Sequence, residues 1–423
     1  LFLVGAWFVL TMWAGCRRGG NGGPAEFPGL VLLALGGMMF AASAGEFVLL
    51  FVALELVTVA FYALTAFERH RKESLESGIK FLIMGALATA FLAMGIALVY
   101  GTTGTMRFEA LRSASVPAPY VRLFQLGLAL VFVGLGFKLA VVPSQMWAPD
   151  VYEGAPVPVT AFLAAGSKAV GLVLLVRVAA ATDLGADSLW CVLPAVASAA
   201  SILYGALCAI PQRNLKRLMG YSSIATAGYL MLGLASGSTA GVTAALYYMA
   251  GYLCAVVTVF TIISVVFRPD AAADVAALSG LHRRAPLLAG AMGLAMVSLA
   301  GVPPTAGFFG KFLLIKAAVA AAASRPALLV LVAVALLGVV SSMYYYFAVI
   351  KAMYWSPAPA QSDAITVQWP VRWSLYLAVA GLLWLGLVPG RMLSSAGQAA
   401  GALRAGPTAG IGISSGVASA PQK

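Results

Sequence analysis

Charge is scarce in this sequence of 423 residues, and that scarcity excludes most soluble folds. Asp, Glu, Lys and Arg together make up 9% of the chain, whereas hydrophobic residues make up 62%. Soluble domains carry about 25% charged residues, so a chain this poor in charge cannot cover itself with a polar surface. We therefore predict that lipid surrounds most of the chain, which makes it an integral membrane protein.

Patterns that hold metals or nucleotides are also missing. The two histidines, His70 and His282, are far apart in the sequence, and no glycine-rich nucleotide motif follows a predicted strand. The cysteines show no CxxC spacing, and they are Cys16, Cys191, Cys208 and Cys254. The sequence therefore indicates no cofactor in this chain, neither a metal ion nor an iron–sulfur cluster.

Apolar segments long enough to cross a bilayer recur along nearly the whole chain. They are continuous rather than alternating, which excludes strands, and about twelve of them are predicted to be helices. The first, Leu1–Ala14, is short and starts with Leu rather than Met, so we expect that two preceding helices are missing. The predicted fold class is all-α, a polytopic transmembrane helix bundle over residues 1–392, followed by a flexible Gly-, Ala- and Ser-rich tail over residues 393–423.

The net charge of +12 does not indicate nucleic-acid binding, because the basic residues occupy short loops and helix edges instead of one soluble patch. Alternating helices place 14 cations on one face of the bundle and 8 on the other. The richer face has Arg17, Arg18, Arg69, Arg71, Lys72, Lys80, Arg213, Lys216, Arg217, Arg268, Arg283, Arg284, Lys351 and Arg372. The other has Arg107, Arg112, Arg122, Arg177, Arg325, Arg391, Arg404 and Lys423. The richer face is predicted to be cytoplasmic.

Five ionisable residues remain inside the apolar segments: Glu55, Lys138, Lys168, Lys311 and Lys316. A charge at the bilayer centre costs about 2.5–3.5 kcal/mol, so these residues require partners or water. One lysine and the glutamate could form an ion pair that only locks helices together. One carboxylate cannot neutralise three or four lysines, however, and desolvation favours the neutral amine. A row of groups that alternate between charged and neutral forms is typical of a proton relay.

Prolines interrupt two of the predicted helices close to buried lysines. Lys138 lies five residues before Pro143, and Lys311 lies seven residues after Pro304. A broken helix is tolerated at membrane depth only against protein or a hydrated cavity, and two such helices are typical of the inverted repeats of transporters. Lys316 should point about 140° away from Lys311 around the helix, so it is not assigned to the relay.

Four long segments, in this order, resemble a known family. They are LELVTVAFYAL with ESLESGIKFLIMGA, then GFKLAVVPSQMWAPDVYEGAPVPVTAFLAAGSKA, then RNLKRLMGYSSIATAGYL, then SLAGVPPTAGFFGKF. From about Gly45 to Tyr354 the sequence resembles the antiporter-like membrane subunits of respiratory complex I. Within that family PDVYEGAPVPV is similar to the subunit N type, the homologue of mitochondrial NADH dehydrogenase subunit 2. Subunits L and M and the Mrp antiporter subunits typically have a PDAH-type segment there.

The resemblance implies a proton-translocating membrane subunit of NADH:quinone oxidoreductase. By motif, Glu55 corresponds to the family's buried glutamate, Lys138 to the lysine of the first broken helix, Lys168 to the central lysine, and Lys311 to the lysine of the second broken helix. Many relatives have histidine where this sequence has Thr226, which puts a histidine relay there in doubt. The candidates for hydrogen-bonding bridging waters in that region are Tyr221, Ser222 and Ser223.

The same resemblance implies what the partners would supply. Flavin, iron–sulfur clusters and quinone would belong to other subunits, and the expected neighbours are antiporter-like subunit M and small subunits of the K and J type, in a bacterial inner membrane. Two alternatives stay open: an Mrp-type Na⁺/H⁺ antiporter subunit or the membrane subunit of a related hydrogenase. A structural subunit with an inert polar axis is a third.

Overall fold

The computed structural model describes residues 5, 9–11, 26–182, 189–268, 271–357, 365 and 367–405. Across these ranges the chain is helical and has no β-strand, only two isolated bridges, which confirms the all-α prediction. The helices are α1 (Glu26–Ser43), α2 (Phe47–Thr65), α3 (Lys72–Thr103), α4 (Phe108–Ser113), α5 (Val121–Leu139), α6 (Trp147–Gly154), α7 (Val157–Phe162), α8 (Lys168–Ala181), α9 (Leu189–Ala209), α10 (Leu215–Ala235), α11 (Thr239–Val266), α12 (Leu281–Arg284), α13 (Pro286–Ala300), α14 (Ala306–Ala322), α15 (Leu328–Trp355), α16 (Trp369–Leu387) and α17 (Pro389–Ala405).

Ten helices or helical runs in the described ranges are long and apolar enough to cross a membrane. These recurring apolar spans confirm the prediction of a multi-pass membrane protein. Most of the first predicted helix, Leu1–Ala14, lies outside the described residues, and so does Cys16.

The C-terminal boundary differs from the prediction. The flexible tail was expected from residue 393, yet α17 continues to Ala405. Small residues one turn apart explain this helix, because Ala396 and Ala400 are both buried and allow α17 to lie close to the bundle. Residues 406–423 of the predicted tail lie outside the described residues.

Two spans are almost completely buried, and both carry polar side chains. The run Val157–Ala181 and helix α10 are each 94% buried, whereas α3 and α15 are only 33% and 39% buried. Helix α10 is also among the least apolar of the spans. Its serines and tyrosines are therefore turned toward protein, which is where polar groups are tolerated at membrane depth.

Glycines allow α9 and α10 to pack with their backbones close together. At Gly205 a side chain would collide with the backbone of Ala225, and at Gly228 it would collide with the backbone of Ile202. The hydroxyl of Ser198 donates across the contact to the carbonyl oxygen of Gly228 at 2.7 Å. Small residues and interhelical hydrogen bonds of this kind are typical of membrane helix packing.

Contacts between loops support the predicted alternation of the helices. On the face predicted to have fewer cations, the backbones of Glu46 and Arg107 form an isolated antiparallel β-bridge. On the other face, the backbones of Asn214 and Asp274 form a second one. Arg177, predicted on the first of these faces, donates to the carbonyl oxygen of Ala44 at 2.8 Å. The assignment of one face to the cytoplasm stays a prediction.

Both predicted helix breaks are present. Helix α5 ends at Leu139, and Ala140 adopts the left-handed conformation with φ 58° before the chain enters α6. Helix α13 ends at Ala300, where Gly301 has φ 88°, and α14 starts at Ala306. A left-handed alanine costs about 1–2 kcal/mol, so the surrounding contacts must hold the first break in place.

Candidate functional site

Lys138 lies at the C-terminal end of α5, immediately before the first break. Its side chain is only 3% exposed. The Nζ atom donates to the hydroxyl of Thr58 at 2.6 Å, and it lies 5.2 Å from the ring centre of Phe137 and 5.8 Å from that of Phe81. Aromatic faces stabilise a cation where water is scarce, so this pocket accommodates the amine in its charged form.

Glu55 differs from its predicted setting. It is partly exposed rather than clearly buried, and its Oε1 atom accepts from the Thr89 hydroxyl at 2.8 Å. The reason is its position on α2, in line with Val52 and Val59, which are 60% and 58% exposed. This stripe, defined as Val48, Val52, Glu55 and Val59, faces outward.

Glu55 and Lys138 are neighbours without a direct ion pair. No salt bridge joins them among the described residues, whereas Thr58, which contacts Lys138, lies three residues from Glu55 on the same helix. Positions i and i+3 share a helix face, so the carboxylate still acts electrostatically on the amine. Glu55 thus lies beside Lys138, with the Thr58 hydroxyl close by. This differs from the direct ion pair that would only lock helices together.

At the first break, side chains donate to three successive backbone carbonyls of α5, of which that of Phe137 also accepts from the Ala140 amide at 3.1 Å. Trp147 Nε1 donates to the carbonyl oxygen of Phe137 at 3.0 Å, and the Ser167 hydroxyl donates to that of Lys138 at 3.0 Å. Lys168 Nζ donates to the carbonyl oxygen of Leu139. A helix C-terminus carries partial negative charge, so it is a favourable site for the Lys168 ammonium.

Lys168 is positioned by an irregular turn. The residues immediately before it, Leu163–Ser167, form a π-helical turn, and such turns re-aim side chains and often mark functional sites. The Lys168 side chain is 1% exposed, and its Nζ also donates to the carbonyl oxygen of Ser223 on α10 at 2.9 Å. Lys168 therefore joins the first break to the most buried helix of the bundle.

Lys311 binds the second break as Lys168 binds the first, by donating to carbonyl oxygens at the end of a broken helix. Its Nζ donates to the carbonyl oxygens of Leu299 and Ala300, at 2.8 and 3.1 Å, which are the last residues of α13. It lies 5.0 Å from the ring centre of Tyr229, and it is 5% exposed. Each break thus binds a buried lysine through the carbonyls that the broken helix leaves free.

For two further lysines, the observed burial is the reverse of what the sequence predicts. Lys316, counted among the interior residues, has an exposed side chain on α14. Lys216, predicted in a loop, is buried and donates to the carbonyl oxygen of Ala155 at 3.0 Å. Asn214 caps the N-terminus of α10 by accepting from two backbone amides, so the helix starts at Leu215 and includes Lys216. An asparagine in this place is a recognisable start signal.

A charged cluster holds α6 at the face that is predicted to be rich in cations. Asp150 accepts from Lys80 at 2.9 Å and from Arg217 at 2.7 Å. The second carboxylate, Glu153, accepts from Arg217 at 2.9 Å and from the Asn214 amide at 3.0 Å. These four contacts tie the segment PDVYEGAP to α3 and α10. In the described ranges, no three His, Cys, Asp or Glu side chains are grouped so that they could hold a metal ion.

The geometry of the second break can be tested at Gly307. A Cβ atom at this residue would collide with the carbonyl oxygen of Ser298 in α13. We expect Gly307→Ala to force α13 and α14 apart at a cost of about 1–3 kcal/mol, lowering the amount of protein that survives mild heating in detergent. Gly290→Ala, in α13 with open space around the residue, is the control. Equal thermal survival of the two variants would contradict the close packing of the break.

Comparisons with known proteins agree with this architecture. A family model described as NADH:quinone oxidoreductase/Mrp antiporter, TM, matches residues 44–355. NADH-quinone oxidoreductase subunit N of Desulforamulus reducens is 42% identical over 298 residues, which cover 70% of this chain and 63% of that protein. The chain thus spans less than two thirds of that relative's length. The protein of the same name from Heliobacterium modesticaldum is 37% identical over 406 residues, 95% of this chain and 84% of that one.

A solved structure shows the same fold. A chain of respiratory complex I from Thermus thermophilus with bound aureothin matches with a TM-score of 0.77 at 36% identity, over 96% of this chain and 87% of that chain. The family model covers most of the sequence, and the matched region includes both breaks and the three buried lysines. The chain therefore belongs to the NADH:quinone oxidoreductase/Mrp antiporter transmembrane family, and within it to the group of relatives named NADH-quinone oxidoreductase subunit N.

Proposed function

We propose that this chain is a proton-translocating membrane subunit of a NADH:quinone oxidoreductase, driven by redox chemistry in other subunits. One observation carries the proposal: three buried lysines, Lys138, Lys168 and Lys311, none of them in a salt bridge among the described residues. A purely structural role would favour permanent ion pairs, because an unpaired buried charge is costly. Amines without a fixed counter-charge are free to take up and release protons.

The proposed path begins at Glu55 and Lys138. The Glu55 carboxylate favours the charged form of Lys138, and the Thr58 hydroxyl and the two aromatic rings hold the ammonium. When the carboxylate is neutralised or moves away, the charged form loses that attraction, and Lys138 passes its proton toward Lys168. The carbonyls at the first break receive the Lys168 ammonium, and those at the second break receive that of Lys311.

The energetic requirement is modest. Moving one charge against 100 mV requires about 2.3 kcal/mol. An attraction between charges a few ångströms apart at an effective dielectric constant of about 20 is worth about 2–4 kcal/mol. Complete loss of this attraction, when Glu55 is neutralised or withdrawn from Lys138, therefore changes the energy of the charged lysine by an amount comparable to that work.

The partners follow from the same proposal. Flavin, iron–sulfur clusters and quinone belong to other subunits, and the neighbours are subunit M and small subunits of the K and J type in a bacterial inner membrane. The outward stripe of α2 around Glu55 is a surface for one of these neighbours, because a carboxylate at mid-helix is costly against lipid tails.

The test is to purify the complex that contains this chain, reconstitute it into vesicles, and follow proton uptake during NADH oxidation. Proton translocation coupled to electron transfer, without sodium dependence, is the expected result. The antiporter alternative shares the family model and predicts sodium-dependent transport. An inert structural subunit predicts that no single lysine variant of this chain changes the ratio of protons to electrons.

We propose that the cation-rich face is cytoplasmic, and labelling with a membrane-impermeant thiol reagent tests this orientation. In a variant without native cysteines, a cysteine introduced by Arg69→Cys should be protected in intact cells, and one introduced by Glu109→Cys should react. Both residues are exposed, on opposite faces. The reverse labelling pattern would contradict the orientation.

A further inference from the structure

We propose that one anionic phospholipid binds at the cation-rich end of α15, with its phosphate against a basic cluster and an acyl chain along the outer face of the helix. The basic cluster, as used below, consists of Arg283, Arg284 and Lys351. The outer row consists of Leu337, Val340, Tyr344, Phe347 and Trp355. This inference goes beyond the proposed function and does not depend on proton transfer.

The outer row is a continuous apolar strip on the surface of α15. Together with Lys351, its members recur every three or four residues, so they share one face of the helix. The five apolar side chains are 45–74% exposed, and Lys351 is exposed as well. A row of large exposed apolar side chains that ends beside a cation matches a molecule with a hydrocarbon chain and an anionic head.

The length of α15 places the basic cluster at the depth of the lipid headgroups. Lys351 follows the first residue of the helix, Leu328, by 23 positions, and a rise of about 1.5 Å per residue puts it about 35 Å along the axis. The hydrocarbon core of a bilayer is about 30 Å thick. Lys351 therefore lies beyond the hydrocarbon core, while the earlier members of the outer row remain among the acyl chains.

The short helix α12 brings two arginines to the same end of α15. The Nδ1 atom of His282 is hydrogen-bonded to the carbonyl oxygen of Met353 at 2.8 Å. The ring of the same histidine stacks on that of Tyr354, with 5.5 Å between the ring centres. Arg283 and Arg284 follow directly and end the helix. These contacts hold the two arginines next to the last turn of α15.

The charge of the basic cluster is not neutralised within the part of the chain that the structure describes. No salt bridge there involves Arg283, Arg284 or Lys351, and the Nε atom of Arg284 is buried without a hydrogen-bond partner. The nearest described acid in the sequence is Asp274, which accepts from a backbone amide at 3.0 Å. On the same predicted face, by contrast, Arg217 is paired with two carboxylates.

A phospholipid satisfies both parts of this surface at once. Its phosphate oxygens accept hydrogen bonds from guanidinium and ammonium groups, and basic pockets between membrane helices bind anionic headgroups. Tyrosine and tryptophan, which end the row, are typical of the depth at which headgroup and chain meet. A free phosphate ion would leave the outer row without a partner, and an apolar helix of another subunit would leave the cations unpaired.

The two arginines should decide which lipid binds. Each basic residue near the membrane surface contributes about fivefold to the binding of an anionic lipid. Arg283→Gln combined with Arg284→Gln should therefore lower the preference for anionic over zwitterionic lipid about 25-fold. The matched control combines Arg69→Gln with Lys72→Gln, which also removes two exposed cations from the same predicted face, before and at the start of α3.

A photoreactive phenylalanine analogue in place of Phe347 reports which molecule lies on the outer row. The membrane assembly that contains this chain is placed in vesicles of phosphatidylcholine and phosphatidylglycerol and irradiated, and each adduct is identified by its mass. The control carries the analogue at Ile79, which is exposed seven residues from the start of α3, as Phe347 is eight residues from the end of α15. Its neighbour Lys80 is already paired with Glu76 and Asp150.

The inference predicts more phosphatidylglycerol adducts at position 347 than the share of that lipid in the vesicle, and adducts in proportion to that share at position 79. The excess should disappear in the arginine variant and persist in the matched control. Adducts in proportion at position 347, an excess that survives in the arginine variant, or an excess that inorganic phosphate at the concentration of the lipid removes, would overturn the lipid site.

A cross-link from position 347 mainly to a polypeptide would also overturn the proposal, because the outer row would then be a contact with another protein. The identity of the adduct is read from the assembled protein, so a variant that assembles poorly does not decide the result. None of these outcomes changes the proposed function, which the ratio of protons to electrons tests separately.

Discussion

Replacing Lys168 by methionine is expected to lower proton flux through this chain about 100-fold or more, because one positioned proton-transferring side chain contributes about 10²–10⁴-fold. Methionine fills most of the space of lysine and removes the amine. The carbonyl oxygens of Leu139 and Ser223 lose a donor, at a cost of about 1–3 kcal/mol, while burying a charge is no longer required. We therefore expect the complex to assemble and transfer electrons with a reduced proton yield.

The control for this variant is Lys316→Met. Lys316 is exposed on α14, five residues from Lys311, so the substitution removes a lysine from the same membrane domain without breaking the relay. Proton yield per electron and complex content are measured for both. If Lys168→Met kept the wild-type yield, or if Lys316→Met lost as much, the central place of Lys168 would be wrong.

The substitution Glu55→Gln is expected to stop proton loading while leaving assembly intact. Glutamine keeps the shape and still accepts the hydrogen bond from Thr89, but it removes the charge that attracts the Lys138 ammonium. That attraction is worth about 2–4 kcal/mol at an effective dielectric constant of about 20, which corresponds to more than a tenfold loss in occupancy of the charged lysine. Glu55→Asp keeps the charge on a shorter arm and should retain part of the yield.

Glu109→Gln is the control for the removal of an acid, because Glu109 is exposed on the short helix α4. The amount of assembled complex, electron transfer and proton yield are compared across Glu55→Gln, Glu55→Asp and Glu109→Gln. A structural role for Glu55 predicts the opposite pattern: less assembled complex in Glu55→Gln, and a normal yield from whatever assembles. A normal content with a normal yield would also contradict the loading role.

Long apolar runs made the helices predictable, and two prolines made the breaks predictable. A run of 17–25 apolar residues has few alternatives in a membrane, and Pro143 and Pro304 remove backbone donors within such runs. The burial of Lys138, Lys168 and Lys311 also followed from the sequence, since the cost of a buried charge singles them out, whereas Lys316, singled out by the same argument, is exposed. These inferences depend on local chemistry alone.

The partners of the lysines depend on tertiary packing and were not predictable. Nothing in the sequence around Lys168 indicates that it reaches the end of α5, about thirty residues earlier, or the carbonyl of Ser223. The exposure of Glu55 is similar, because it depends on how much of the circumference of α2 the neighbouring helices cover. The predicted loop position of Lys216 is wrong because Asn214, a recognisable N-cap residue, starts α10 at Leu215.

The most direct test of the relay is the ratio of protons to electrons in Lys168→Met, in Lys311→Met and in the double variant, each measured in vesicles that contain equal amounts of complex. Groups that act in series block the same path, so their effects do not add. The account predicts that each single variant lowers the ratio to the same value and that the double variant lowers it no further. Wild-type ratios in the single variants, or losses that add in the double variant, would contradict a single path through the buried lysines.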